Sequence, residues 1–293
     1  MGLRVHHCGT FAANSVMATV LLTGGRGFVG RQVLRNLVRR GIQVRLVVRK
    51  GKQEELGPVE HNGSIVATPD LFSEGIDWWA EVCSDIDTVI HCAWYADPSD
   101  YLVSPKNLDC LMGTLRLAQG VAKAGVRRFV GIGTSIEYEL SPGMLSIDTP
   151  LRPSTPYGAA KVAAFTMLSQ WLPAQQVGFA WCRLFNLYGE GEDARRLVPY
   201  LRAKLTAGEL AELTSGSQVR DFLDVATAGE MIADFACGGK QGAVNICSGV
   251  PVTVRELAER LADEYGRRDL LRLGARKDNP LEAQYVVGIK NSF

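Results

Sequence analysis

The chain has 293 residues, of which 46% are hydrophobic and 22% are charged, and its net charge is +1. This length suits one large α/β domain or a domain with a smaller lobe. The near-zero charge gives no reason to expect nucleic acid or a membrane surface as a partner. Seven scattered cysteines without a CxxC pair fit reduced thiols, and the four histidines show no metal-ligand spacing, so we expect neither a disulfide framework nor a metal site.

The first 16 residues lack the continuous apolar stretch of a signal peptide. They precede Met17, which stands directly before the first predicted strand, and we interpret residues 1–16 either as a disordered tail or as the product of an upstream start. No apolar run in the sequence approaches the roughly 18–20 residues of a membrane span. We therefore expect a cytoplasmic protein.

Strand-like and helix-like segments alternate along the first two thirds of the chain. The predicted strands are 19–24, 43–49, 64–71, 87–94, 127–135 and 178–186, and the predicted helices are 30–41, 107–124 and 157–172. This alternation predicts an α/β fold with a Rossmann-like, doubly wound parallel sheet. We assign residues 17–186 to a dinucleotide-binding domain with a return segment near 217–247. Residues 187–216 and 248–293 are expected to form a smaller C-terminal substrate lobe.

A glycine-rich turn lies between the first predicted strand and the first helix. Gly24, Gly27 and Gly30 have the spacing G-x-x-G-x-x-G. Glycine permits the tight turn, lets the backbone approach a pyrophosphate, and opens onto a helix N-terminus that favours anions. The turn therefore predicts dinucleotide binding. The expected cofactor contacts are Gly24, Gly27, Phe28, Val29 and Gly30, together with Ala93 at the end of the fourth strand.

The end of the second predicted strand indicates which dinucleotide is bound. An NAD site usually has an acidic residue there for the ribose 2′-hydroxyl, whereas this strand ends in VVRK, and no Asp or Glu occurs from Gly24 to Gln53. Arg49, helped by Arg26 or Lys50, could hold a 2′-phosphate, so we expect NADP(H) in preference to NAD(H).

A short acidic turn follows the third predicted strand, where an adenine contact can form. Asp70 and Leu71 stand at its end. They are interpreted either as adenine contacts or as an ordinary turn at the end of a strand.

The segment YGAAK places Tyr157 and Lys161 one helical turn apart on the same helix face. A nearby ammonium and a bound nicotinamide would favour the phenolate, which brings the tyrosine into range for acid–base catalysis. The lysine can also hydrogen-bond the nicotinamide ribose. A hydroxyl should orient the substrate oxygen beside the tyrosine, and GTS at 133–135 offers Thr134 and Ser135.

These motifs together resemble the extended short-chain dehydrogenase/reductase family, in its nucleotide-sugar epimerase/dehydratase branch. RLFNLYGEGE (183–192) is similar to the family's R-L-x-N-x-Y-G-P-G segment, and SGSQVRDFLDV (215–225) is similar to its G-x-x-x-R-D-F-x-x-V segment. The resemblance implies that Asn186 and Arg220 contact the diphosphate of a nucleotide sugar. The alternative for Arg220 is an ion pair with Asp221 or Asp224.

The same resemblance narrows the chemistry. The family places its catalytic Ser or Thr four residues before a tyrosine, so Tyr138 points to Thr134, with Ser135 as a substrate contact or substitute. Family dehydratases carry Asp-Glu directly after that threonine, where this chain has Ser135 and Ile136. The members that epimerise at C3 and C5 carry a cysteine at the position of Ile136. Simple hydride transfer at C4 remains.

The chain also departs from the family pattern. The family's N-x-x-G-T reads C-L-M-G-T, with Cys110 at the asparagine position and Asn107 three residues earlier, which we interpret as structural. The chain reaches Phe293 sooner than the resemblance leads us to expect, so the substrate lobe is expected to be shortened. Trp94 and Tyr95 follow the fourth strand and either stack on a sugar or fill the core.

The leading hypothesis is an NADPH-dependent reductase of a nucleotide-linked 4-keto-6-deoxyhexose, with Tyr157 as proton donor, Thr134 polarising the oxygen and Lys161 holding the ribose. One alternative is a 4-epimerase that keeps tightly bound NAD, and another is a non-catalytic NADP-sensing protein. The resemblance also implies a homodimer formed through the helices at 107–124 and 157–172.

Overall fold

The computed structural model describes residues 18–51, 63–279 and 282–291, and every structural statement below refers to these residues. The predicted tail at 1–16 lies outside them. The strands are β1 (Thr19–Thr23), β2 (Gln43–Arg49), β3 (Ile65–Thr68), β4 (Thr88–His91), β5 (Arg128–Thr134), β6 (Met144–Leu145), β7 (Gly178–Leu184), β8 (Asn186–Tyr188), β9 (Ala211–Glu212), β10 (Val219–Asp224), β11 (Gly242–Ile246), β12 (Pro251–Thr253), β13 (Leu271–Arg272) and β14 (Tyr285–Gly288). The helices are α1 (Phe28–Arg39), α2 (Ile76–Val82), α3 (Lys106–Lys123), α4 (Pro156–Ala174), α5 (Leu197–Ala207), α6 (Val225–Cys237) and α7 (Val254–Glu264).

The main sheet has seven strands in the order β11-β7-β5-β4-β1-β2-β3, and all neighbouring pairs run parallel. The strand order reverses between β1 and β4, and open sheets of this kind bind ligands at the carboxyl ends of strands beside such a reversal. The predicted Rossmann-like parallel sheet is confirmed.

Helices cover both faces of this sheet, because its strands are apolar on both sides. On one face, α1 and α6 pack together and bury residues such as Val33, Leu37 and Ile232 against the strands. On the other face, α2, α3 and α4 contribute Trp79, Leu117 and other apolar side chains. The two layers fix the carboxyl ends of the strands, where the candidate site lies.

A second, smaller sheet has the order β12-β10-β14-β6, and β8 joins it by pairing with β10. Helices α5 and α7 pack beside it around a separate apolar cluster that includes Leu201, Leu257 and Leu261. The return segment divides between the two sheets, because β10 lies in the small sheet and β11 in the main sheet. The division into a dinucleotide domain and a substrate lobe stays a prediction.

The predicted strand at 178–186 is wrong at its end. The strand in the main sheet stops at Leu184, and Phe185 is buried in a cluster between the sheets. The chain then pairs with β10 from Asn186 onward, so this residue belongs to the small sheet. One apolar run thus contributes strands to two sheets. The hydrophobic pattern alone does not show where the chain passes from one sheet to the other.

Within the described ranges, no helix is long and apolar enough to cross a membrane. The cysteines there, Cys83, Cys92, Cys110, Cys182, Cys237 and Cys247, form no disulfide. The described part of the chain also contains no cluster of His, Cys, Asp and Glu side chains that could hold a metal ion.

Candidate active site

The glycine-rich turn brings β1 close to the end of β4. Gly27 donates its backbone N–H to the Gly24 oxygen at 2.9 Å, and a Cβ on Gly30 would lie 2.2 Å from that oxygen. Gly24 has a φ of +69°, and a Cβ there would lie 2.7 Å from the Ala93 nitrogen. Only glycine fits these contacts. With Phe28 opening α1 immediately afterwards, the turn fits a dinucleotide whose phosphates approach the backbone closely.

Basic side chains surround this turn. Arg49 ends β2 and is exposed, and its side chain makes no hydrogen bond or ion pair with the other described residues. Arg31 donates to the backbone oxygen of Arg26 at 3.4 Å. Arg35 donates to Glu190 at 2.7 Å, because the loop after β8 lies against α1.

The turn after the third strand is built around Asp70. Its carboxylate accepts hydrogen bonds from the Phe72 N–H at 3.1 Å and the Ser73 hydroxyl at 2.7 Å. This turn ends the strand at Thr68, earlier than predicted. The ordinary turn is therefore present, whereas an adenine contact by Asp70 or by the half-buried Leu71 stays a prediction.

Tyr157 and Thr134 meet at the carboxyl end of β5. Helix α4 begins at Pro156 because Thr155 caps it by accepting the Gly158 N–H at 3.2 Å, and this places the tyrosine in the first helical turn. The Tyr157 phenol lies close to the Thr134 side chain. Burial raises the pKa of Tyr157, and the hydroxyl of Thr134 opposes that rise. The structure thus brings together the phenol and the hydroxyl that the sequence predicted.

Lys161 lies one turn further along α4 and is only 3% exposed. Its Nζ donates to the Ile132 backbone oxygen at 2.7 Å and lies 5.9 Å from the centre of the Tyr157 ring. Burial lowers the pKa of Lys161 to about 8, and the negative charge of Glu137 opposes this shift. Lys161 is therefore a buried ammonium that loses its proton at a lower pH than a solvent-exposed lysine does.

A buried ion pair near Thr134 was not predicted from the sequence. Glu137 and Arg183 are fully buried, with Arg183 Nε donating to Glu137 Oε2 at 2.7 Å. Glu137 Oε1 also accepts the backbone N–H of Thr134 at 2.8 Å and the Trp181 indole N–H at 3.0 Å. The carboxylate therefore fixes the backbone that carries the Thr134 hydroxyl. The available signal was an arginine inside the apolar strand GFAWCRLF.

The same hydrogen-bond network includes Tyr138, which in the sequence analysis only indicated the position of the catalytic threonine. Arg183 donates to the Tyr138 hydroxyl at 3.0 Å, and that hydroxyl donates to Asn245 Oδ1 at 2.7 Å. Asn245 in turn donates to the backbone oxygens of Leu145 at 2.8 Å and Ile289 at 3.1 Å. The network thus ties the main sheet to the small sheet.

A buried histidine supports the end of β4, and the sequence reasoning missed it as well. The His91 ring nitrogens lie 2.8 Å from the Thr23 hydroxyl and 2.9 Å from the Thr114 hydroxyl. Burial lowers the pKa of His91 to about 3, so it is neutral. Thr23 also accepts the Ala93 N–H at 3.3 Å, which fixes the contact between β4 and the glycine turn.

The predicted substrate contacts lie near the boundary between the main sheet and the small sheet. Ser135 is buried directly after Thr134, and Asn186 opens β8. Arg220 pairs with Glu282, so the alternative partners named from the sequence are wrong. Asp221 instead accepts N–H bonds from 248 and 249, and Asp224 caps α6. Contact between Arg220 and a diphosphate stays a prediction, and it would require an exchange with Glu282.

The loop after β4 is anchored by Asn107. Its Oδ1 accepts the Trp94 indole N–H at 2.9 Å, and its Nδ2 donates to the Tyr101 and Ser104 backbone oxygens at 2.7 and 2.9 Å. Cys110 accepts a backbone N–H at 3.4 Å. These contacts agree with the structural interpretation of both residues.

Two loops also meet above Tyr157. Arg195 pairs with Asp97 at 3.0 Å, while the Arg196 guanidinium lies 5.4 Å from the Tyr101 ring. That ring packs edge-on against Tyr157, with centres 5.1 Å apart. Aromatic and cationic groups therefore enclose the phenol on the side away from the sheet.

A parallel sheet with a glycine turn at its strand reversal is the arrangement typical of dinucleotide-binding folds. Residues 20–247 match the model of the NAD dependent epimerase/dehydratase family, so the chain belongs to this family. It is 24% identical to dTDP-6-deoxy-L-talose 4-dehydrogenase (NAD(+)) of Aggregatibacter actinomycetemcomitans, over 84% of this chain and 90% of that protein.

Two further similarities extend this comparison. The chain is 29% identical to dTDP-6-deoxy-L-talose 4-dehydrogenase (NAD(P)(+)) of Kitasatospora kifunensis, over 87% of this chain and 81% of that protein. Its fold is similar to that of UDP-N-acetylglucosamine 4-epimerase from Methanobrevibacter ruminantium, solved with UDP-N-acetylmuramic acid. That comparison has a TM-score of 0.82 and 22% identity, and it covers 93% of this chain and 89% of the other.

Proposed function

We propose that this protein is an NAD(P)-dependent oxidoreductase that reduces the C4 keto group of a nucleotide-linked 4-keto-6-deoxyhexose. The observation that carries the proposal is the convergence of Tyr157, Thr134 and Lys161 at the end of β5, beside the strand reversal and the glycine turn. The two talose 4-dehydrogenases support it, because oxidation of a 4-hydroxyl is the reverse of this reduction.

The side chains divide the chemistry among them. A bound nicotinamide would supply the hydride for the carbonyl carbon. Tyr157 would donate its phenolic proton to the carbonyl oxygen, and Thr134, whose side chain lies close to that phenol, would orient the oxygen. Lys161 would hold the nicotinamide ribose and favour the phenolate by its charge. Gly24, Gly27 and Gly30 would hold the pyrophosphate.

The position of Glu137 argues against dehydration. A dehydratase needs an additional acid and base at the sugar, and Glu137 is the carboxylate nearest in sequence to Thr134. Both of its oxygens are engaged by Thr134, Trp181 and Arg183 inside the protein. It therefore cannot serve a substrate, and Ser135 and Ile136 offer no replacement.

Arg49 is proposed to hold the 2′-phosphate of NADP(H). Arg49→Asp should raise KM for NADPH by about 10–100-fold and leave KM for NADH nearly unchanged, because a charge-assisted contact is lost only with the phosphate. Steady-state kinetics with both cofactors measure this. Arg39→Asp, on the exposed face of α1, is the charge-matched control. If both variants raise KM for NADPH equally, the assignment of Arg49 to the 2′-phosphate is wrong.

The experiment that tests the reaction is cofactor consumption with enzymatically prepared dTDP-, UDP- and GDP-linked 4-keto-6-deoxyhexoses. Oxidation of NADPH with stoichiometric formation of the 4-hydroxy sugar is the expected result. The reverse reaction, reduction of NADP⁺ by nucleotide-linked 6-deoxyhexoses, should show the same sugar preference. Absence of cofactor turnover in both directions would refute the reductase.

A nucleotide-sugar 4-epimerase is the second candidate, because the fold is similar to that of a UDP-N-acetylglucosamine 4-epimerase. An epimerase would retain NAD through purification and interconvert C4 epimers without net cofactor consumption. The basic end of β2 favours the reductase. Mass spectrometry of the cofactor released on denaturation distinguishes the two.

A homodimer through α3 and α4 is part of the proposal. These helices pack together and leave large apolar side chains exposed, namely Leu108, Met112 and Met167, which are 63%, 46% and 53% exposed. Exposed apolar side chains on adjoining helices are typical of an interface. We place the reaction in the cytoplasm, in the synthesis of nucleotide-linked deoxysugars.

A further inference from the structure

The Lys161 ammonium lies against the face of a tryptophan. Its Nζ is 3.7 Å from the centre of the Trp94 ring, within the range at which a cation is attracted to an aromatic face. The indole is oriented by its N–H bond to Asn107 at 2.9 Å and packs edge-on against Tyr157, with ring centres 6.3 Å apart. Trp94 therefore contacts both the lysine and the tyrosine of the candidate site, and its stacking on a sugar stays a prediction.

We infer that Trp94 is a positioning residue that holds the ammonium of Lys161 in its charged form and in its place beside Tyr157. This inference deepens the proposed function, because it rests on Lys161 serving the nicotinamide ribose and the phenol.

The surroundings of Lys161 explain why an aromatic face matters there. The side chain is 3% exposed, so water solvates its charge poorly, and one N–H is satisfied by the Ile132 oxygen at 2.7 Å. The titratable groups that act on the ammonium are His91 and Cys92 from the end of β4, Cys110 from α3, Glu137 from the turn after β5 and Tyr157 from α4.

Most of these neighbours are uncharged near neutral pH. Burial lowers the pKa of His91 to about 3 and raises the pKa of Cys92 to about 12, and it also raises the pKa values of Cys110 and Tyr157. Glu137 is the one carboxylate among these groups, and both of its oxygens already accept bonds from other side chains. The Trp94 face at 3.7 Å is the nearest aromatic contact of the ammonium, since the Trp181 and Tyr157 rings lie 5.9 Å away. It leaves the third N–H of Lys161 available to the ribose.

The decisive measurement is an NMR titration of the lysine side chains in the protein without cofactor, with ε-¹³C-labelled lysine and Lys161→Met to assign the signal. In the wild-type protein the Lys161 signal should titrate with a pKa of about 8. Trp94→Leu should lower that midpoint by about 0.5–1.5 pH units, the equivalent of one buried cation–aromatic contact. Trp94→Phe, which keeps a weaker ring but loses the indole N–H, should give a smaller decrease.

A shape-matched variant guards against a general disturbance of the loop. Incorporation of trifluorotryptophan at position 94 weakens the ring's negative face while keeping its size and its N–H, so the midpoint should again fall. Equal midpoints in the wild-type, leucine, phenylalanine and fluorinated proteins would overturn the inference. The readout needs neither cofactor nor substrate, so absence of keto-sugar turnover would refute the proposed function without affecting this result.

Discussion

Tyr157→Phe should lower kcat for keto-sugar reduction by about 10²–10⁴-fold while NADPH affinity stays nearly unchanged. The phenol supplies the proton in our proposal, and phenylalanine keeps the ring that packs against Tyr101 and Trp94. Single-turnover kinetics and calorimetric titration with NADPH separate chemistry from cofactor binding. Because only the hydroxyl is removed, the free energy of unfolding should change little.

The matched control for this variant is Tyr95→Phe. Tyr95 lies on the neighbouring loop, and its hydroxyl donates to Asp100 at 2.7 Å, away from the phenol of Tyr157. The two changes are chemically identical, so a difference between them reports the position of Tyr157 alone. Wild-type turnover by the Tyr157 variant would contradict the assignment of Tyr157 as the proton donor.

Glu137→Ala should be among the most destabilising substitutions in this chain, lowering the free energy of unfolding by about 3–5 kcal/mol. The reason is that Arg183 would be left buried without its counter-charge, and Thr134 and Trp181 would lose their acceptor. Urea unfolding followed by circular dichroism measures this. The variant should also lose activity, since the backbone N–H of Thr134 is no longer fixed.

An exposed ion pair in the same region provides the comparison. Glu139 lies 3.6 Å from Arg152 near the protein surface, so Glu139→Ala should cost less than about 1 kcal/mol. The double variant Glu137→Leu with Arg183→Met should be more stable than either single variant, because both buried charges are then absent. If the single and double variants lose equal stability, the pair does not act as an ion pair.

The parts of the site that the sequence predicted depend on short-range spacing. One motif is the glycine turn of Gly24, Gly27 and Gly30, and the other is the pair Tyr157 and Lys161, one helical turn apart. The residues of each motif are close in sequence, so their spacing alone predicts their arrangement in space. The parallel sheet was predictable for a similar reason, since apolar strands alternate regularly with amphipathic helices. The resemblance then chose between Thr134 and Ser135, and Thr134 lies close to Tyr157 at the end of β5.

What the sequence missed depends on partners far apart in the chain. Arg183 meets a glutamate 46 residues away, and Arg220 meets Glu282 across 62 residues. Spacing carries no signal for such pairs, and the sequence therefore suggested the acidic neighbours 221 and 224 for Arg220. The contact between Trp94 and Lys161 could not be predicted for the same reason. It forms only when the loop after β4 packs against α4.

The position of β14 bears on the order in which the protein is assembled during synthesis. This strand runs parallel to β6, pairing Val287 with Met144, and it also pairs with β10. At about 5–20 residues per second, it leaves the ribosome roughly 5–20 s after β7. Most strands of the main sheet can thus pair before the small sheet is complete. In a nascent chain, the glycine turn, Thr134, Tyr157 and Lys161 would therefore be synthesised and able to assemble before β14 emerges.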